Sequence, residues 1–120
     1  MRRGAERGAG SMLVVGVCAA LAATLFASTI LIGWFAQARR AELTAELAAV
    51  AGVGAAVEGA DACSAAERVA LANRGGLVSC RVLGISPDVV VTTEVVARLR
   101  PAMPLGGPEE VRRTATAGTR

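Results

Sequence analysis

The 120-residue chain has no lysine, no histidine and no tyrosine, and its aromatic residues are two phenylalanines and one tryptophan. Without histidine, the side chain that most often serves as general base and as nitrogen ligand for zinc is missing. The carboxylates Asp61, Glu67, Asp88 and Glu94 are scattered through the sequence, so no nucleophile and base can be paired and the chain does not read as an enzyme. No cofactor, metal or small-molecule substrate is expected. The 13 basic residues are all arginine, in a background rich in Ala, Gly and Val that looks like a high-GC coding sequence, so the absence of lysine says little about mechanism. A net charge of +3 and a pI near 9.3 raise the question of nucleic acid. Most of these arginines lie near the two ends and beside the apolar run, and they do not form a patch interleaved with aromatics, which argues against that partner.

Cysteine is scarce as well. Cys18 lies in an apolar stretch, where a thiol behaves as a small packing residue. Cys63 and Cys80 stand seventeen positions apart, a spacing that fits no CxxC metal or redox motif. A disulfide is the better reading if that segment faces an oxidising compartment.

Charge is also absent from one long stretch. Between Arg7 and Arg39 no side chain is ionised, and Met12 to Ala36 is almost wholly apolar. About 20 apolar residues suffice for a helix to cross the hydrocarbon layer of a bilayer, so residues 12–36 read as a single membrane span. Residues 1–11 form a basic flank with Arg2, Arg3 and Arg7, against Arg39 and Arg40 on the far side. Counting arginines near the span places the amino terminus in the cytoplasm by a narrow margin, and the paired cysteines independently place the carboxy-terminal part outside it. The competing reading is a cleavable signal, because Ala36-Gln37-Ala38 has the small-x-small form of a signal peptidase site and cleavage after Ala38 would release a small secreted binding module. The apolar run is far longer than the roughly 7 to 15 residues of a signal core, which favours a retained anchor. Within it, Gly16, Ala20, Thr24 and Ser28 recur every four residues and line one helix face with small side chains, a pattern that lets helices approach closely in lipid and that an Ala-rich helix also produces by chance.

The helical pattern continues over 37–58. Leu43, Leu47, Val50 and Val57 share one face and make a narrow apolar stripe suited to a neighbouring helix. Gly59 ends that helix, and residues 59–99 read as a small α+β head. There a short helix, capped by Asp61 or by the Ser64-Ala-Ala-Glu67 box, runs to Asn73 and stops at Gly75-Gly76. It is followed by strands at Leu77–Leu83 and Val89–Leu99 joined by a loop over residues 84–88. Alternation places Val78, Cys80 and Val82 on one strand face and Val89, Val91, Thr93 and Val95 on the other strand's apolar face. A Cys63–Cys80 bond would then staple helix to hairpin. Residues 100–120 are rich in Pro, Gly, Arg and Thr, and Val111 to Ala117 reads either as a third antiparallel strand or as part of a disordered tail.

The order of these parts supports a family comparison. Arg7-Gly8-Ala9-Gly10, one long apolar helix, an Arg-Arg-Ala continuation into an Ala-rich helix, Asp61-Ala-Cys63, Asn73, a Val-Ser-Cys80 strand and a Val-rich second strand together resemble the TadE-like and TadG-like proteins of Flp pilus assembly. More narrowly, the chain resembles the short actinobacterial TadE-like members found beside secretion genes. The resemblance implies a single-pass cell-membrane protein of the pseudopilin or minor-pilin kind. Its amino end would be inside and its head outside, and its helix would assemble with other pilin-like or Tad secretion subunits, copies of itself included. Proteins of this kind usually carry a Glu shortly after the prepilin peptidase site; here, in register with Arg7-Gly8, that place is held by Leu13, which leaves processing after Gly10 without its usual residue.

Overall fold

A computed structural model describes residues 2–119. The side chains of residues 1–7, and with them the three flank arginines, lie outside the described set. The order of elements is α1 (Arg2–Val57), α2 (Ala62–Ala72), β1 (Gly76–Ile85), β2 (Asp88–Arg98), a single 3-10 turn (Pro104–Gly106) and β3 (Glu110–Gly118). This is the expected α+β layout: a long amino-terminal helix, a short helix and a three-stranded antiparallel sheet in the order β1-β2-β3. The chain divides into two compact units, Met1–Gly33 and Trp34–Arg120.

The first unit is the amino-terminal part of α1. Helix extends to Arg2, ten residues before the apolar run, since Arg, Ala and Glu are good helix formers and no proline interrupts them. The apolar part of this helix is long enough to cross a membrane, and none of its most apolar window is buried within the chain. Thr24 Oγ1 donates to the Ala20 carbonyl and Ser28 Oγ to the Thr24 carbonyl, both at 2.8 Å, so these hydroxyls find partners on their own helix. That removes most of the cost of placing them in an apolar medium.

The second unit is built around β2, the central strand. Val89, Val91, Thr93 and Val95 alternate along it and are buried, as the period of two requires. Their cover comes from both helices. Ala45 and Ala70 close on Val95, while Ala62, Val53 and Ala56 close on Val89 and Val91. On α1 the buried residues include Ala41, Thr44, Ala45, Ala48, Ala49 and Gly52, a face of small side chains that brings helix backbone close to the sheet. Gly52 lies against Val91, and the buried hydroxyl of Thr93 donates to the Ala45 carbonyl at 2.9 Å. The opposite face of the sheet is mixed, with exposed Leu83 and Val90 beside a Thr92–Thr116 hydroxyl pair at 3.0 Å and Arg112 3.6 Å from Glu94.

Two details depart from the sequence reading, and a third decides between its alternatives. The connection between β1 and β2 is two residues, Ser86 and Pro87, not five, because Gly84 and Ile85 remain in the ladder opposite Val89 and Asp88. Gly84 achieves this with φ +88°, where a Cβ would collide with the Asp88 carbonyl. Register also shifts between Leu77 and Ser79, a bulge that takes Val78 out of the alternation; Leu77, not Val78, joins Cys80 on the covered face. Finally, the cap of α2 is Asp61, whose Oδ1 accepts from the Ser64 amide at 3.0 Å, and the Ser64–Glu67 box lies inside the helix. That amide hydrogen bond, the largest cause, holds the Asp61 carboxyl below its ordinary pKa of 3.8. Residues 110–118, left open between strand and tail, form the third strand.

Candidate functional site

Three features of the second unit could serve function. Among the described residues no group of three His, Cys, Asp or Glu side chains stands close enough to hold a metal ion.

The first is the staple. Cys63, in the first turn of α2, and Cys80, midway along β1, are joined as a disulfide with a Cα–Cα distance of 5.8 Å. It ties the short helix to an edge strand that pairs with β2. Cys18 remains a free thiol exposed on α1.

The second is a clamp on the segment after β2, which the sequence reading missed. Trp34 Nε1 donates to the Pro101 carbonyl at 2.8 Å. Gln37 grips the neighbouring peptide from both sides: its Nε2 donates to the Arg100 carbonyl at 2.6 Å and its Oε1 accepts from the Arg100 amide at 2.7 Å. One turn of α1 thus fixes the start of the β2–β3 connection beside itself. The available signal was weak, since Trp34 falls within the apolar run and Gln37 in the middle of a small-x-small site. Replacing Gln37 with Ala removes two hydrogen bonds at a largely exposed site and is expected to cost about 1 kcal/mol. Thermal unfolding followed by the emission of Trp34 would show it as a lower midpoint, and an unchanged midpoint would mean the clamp contributes nothing.

The third is the apolar stripe of α1. Leu43, Leu47, Val50 and Val57 all stay exposed, between 45% and 61%, because the chain's own sheet and short helix occupy the adjacent alanine face. The Arg39–Glu42 pair beside the stripe, at 2.6 Å, is solvent-exposed and worth a few tenths of a kcal/mol at most. Of the small residues singled out in the apolar helix, Gly16, Ala20 and Thr24 are exposed and Ser28 is half-buried, and a Cβ built on Gly16 would meet nothing within 4 Å.

Comparison with known proteins finds no matching family model, no matching curated protein and no matching solved structure. The functional reading therefore rests on the residues and their geometry.

Proposed function

We propose that this chain is a single-pass membrane subunit of a Tad/Flp-type pilus or secretion apparatus. In this reading its amino terminus is cytoplasmic, its head is extracytoplasmic, and it acts by lateral association of its helix with other pilin-like subunits or copies of itself. It does no chemistry and binds neither cofactor nor nucleic acid. The observation that carries the proposal is the division of labour on α1. Beyond the apolar run the helix spends its small face on its own sheet and leaves Leu43, Leu47 and Val50 uncovered, where a second helix would bury them. The disulfide supports an oxidising location for the head.

The competing reading, a binding module released after Ala38, is motivated by Ala36-Gln37-Ala38. Against it stands the clamp. Gln37 lies inside α1 and is bonded to Arg100, so cleavage after Ala38 would cut a helix and strip the head of two of its own contacts.

Leu47→Glu tests the assembly reading. It places a charge on the exposed stripe without touching the buried face, so the fold and the disulfide should persist while higher-order species trapped by amine-independent, photo-induced cross-linking in native membranes disappear. A wild-type chain that is monomeric in those membranes would overturn the proposal. A soluble species beginning at Arg39 in the culture fluid, detected by intact mass, would establish the released module in its place.

A further inference from the structure

The head is close to electrically balanced, with ten arginines and nine acidic residues in 34–120, yet its charges are not evenly placed. One open groove of about 860 Å³ is lined by four of those arginines, Arg40, Arg74, Arg98 and Arg100, and by a single acid, Glu110. The four come from different places in the chain: Arg40 from α1, Arg74 from the residues after α2, Arg98 from the end of β2 and Arg100 from the clamped connection. Of the four, Arg98 has an ionic partner, Glu110, at a loose 3.9 Å, with the arginine side chain largely in solvent. Arg40, Arg74 and Arg100 make no ion pair among the described residues. Arg74 holds its place with φ +61°, in the left-handed region that non-glycine residues seldom enter. Gathering like charges is unfavourable unless something anionic joins them.

Location and lining narrow what that is. Arg40 stands about one helical turn beyond Ala36, where the apolar run ends, and Trp34 and Gln37 fix the Arg100 segment at the same level. A tryptophan at the end of a span is a membrane-interface residue, so the groove would open at the depth of lipid headgroups. Between the arginines apolar Ala41, Leu71 and Val96 alternate with polar Gln37, Thr44 and Asn73. Guanidinium groups bind phosphate oxygens two at a time, the polar side chains suit the glycerol ester region of a lipid, and the apolar ones suit its first methylenes.

We propose that this groove binds the phosphate headgroup of an anionic phospholipid in the leaflet from which α1 emerges. The inference rests on α1 spanning a membrane but not on the pilus-assembly role. Inorganic phosphate offers the same chemistry without the tail, and the test separates the two.

Full-length protein in detergent is presented with equal amounts of phosphatidylglycerol and phosphatidylcholine, and retained lipid is identified by native mass spectrometry. Wild type is expected to retain phosphatidylglycerol preferentially. Arg74→Gln with Arg100→Gln should weaken that preference by roughly 25-fold, about five-fold for each arginine lost near the surface. Arg81→Gln with Arg113→Gln removes the same charge outside the groove and should leave it intact. Wild-type Trp34 emission and an intact disulfide in each variant establish that it is folded. Equal loss in both variants would reduce the effect to net charge, and undiminished preference in the groove variant would place the lipid elsewhere; either result overturns the proposal. So would displacement of the lipid by millimolar phosphate, which would make the groove a site for the free anion. Flotation of the wild type with phosphatidylcholine vesicles reports the span separately, so a groove that fails while flotation persists leaves the membrane reading standing.

Discussion

Cys63→Ser combined with Cys80→Ser is expected to lower the stability of the 34–120 unit by about 3 kcal/mol, the loop-closure entropy of a bridge spanning some fifteen residues. Seventeen positions separate the two cysteines, and the bond reaches from the first turn of α2 to the middle of β1. Its weight follows from what else holds these elements. The largest fully buried side chains are Val91, Val95 and Thr93, and most of the remaining core is alanine. Alanine and valine remove little apolar area from water per residue, and a core this lean leaves a small margin. β1 is also an edge strand with solvent along its outer side, and Val82 and Leu83 on it remain exposed. Losing the bridge therefore frees the strand and the short helix together. For a unit of this size 3 kcal/mol corresponds to a fall in midpoint of about 12 to 24 °C. Trp34, the chain's only tryptophan, is bonded to Pro101 and gives a fluorescence readout of the folded unit in detergent. Equal midpoints for the wild type and the double serine variant would mean that the alanine-rich core is sufficient without the bond.

The parts of this architecture that were legible in the sequence are those marked by strong local signals. An uncharged apolar run produced the long helix, Asp61 and Gly75 bracket α2, and four alternating residues from Val89 to Val95 identify the covered face of β2. The cysteine pairing was legible from a spacing that fits no CxxC motif, with Cys80 on the covered face of β1 and Cys63 in the preceding helix. What was not legible depended on partners distant in sequence. Val78 looks like the companion of Cys80 until a bulge displaces it, and a bulge leaves no trace in a period-two pattern. β3 holds Arg and Thr at positions that look like a tail; only beside β2 do Arg112 and Thr116 meet Glu94 and Thr92. The clamp is a similar case, since Gln37 and Arg100 are 63 positions apart and neither belongs to a motif. The candidate site was half-visible for another reason. Leucine and valine dominate any hydrophobic pattern, so the stripe at Leu43 and Leu47 was plain, whereas the face that seats α1 on the sheet is alanine and glycine and gives almost no signal.

That silent face yields the other large effect. Gly52→Leu is expected to destabilise the 34–120 unit by about 3 kcal/mol, at the upper end of the cost of overfilling a packed core. Even a Cβ on Gly52 would stand 2.9 Å from Val91 Cγ1 and 3.2 Å from the Ala62 carbonyl oxygen. Neither neighbour can retreat cheaply. Val91 is fully buried in the central strand, and Ala62 opens α2 immediately before the bridged Cys63. A leucine there must lift α1 away from β2, opening the contacts of Val53 and Ala56 with Val89 and Val91 along with it. Helix propensity works in the opposite direction, since removing a glycine from a helix interior gains up to about 1 kcal/mol, and it does not offset the clash. Gly54 supplies the control within the same turn: a Cβ there meets nothing within 4 Å, so Gly54→Leu should show the propensity gain alone and raise the midpoint slightly. Opposite shifts from one chemical change two residues apart would locate the seat of α1 on the sheet, and matching shifts would mean that the helix does not rest on β2. The comparison also bears on assembly, because Gly52→Leu leaves Leu43, Leu47 and Val50 unaltered. If the stripe alone drives association, this variant should still self-associate in the membrane while its head unfolds early. If association needs the head seated beside the stripe, both properties should fail together.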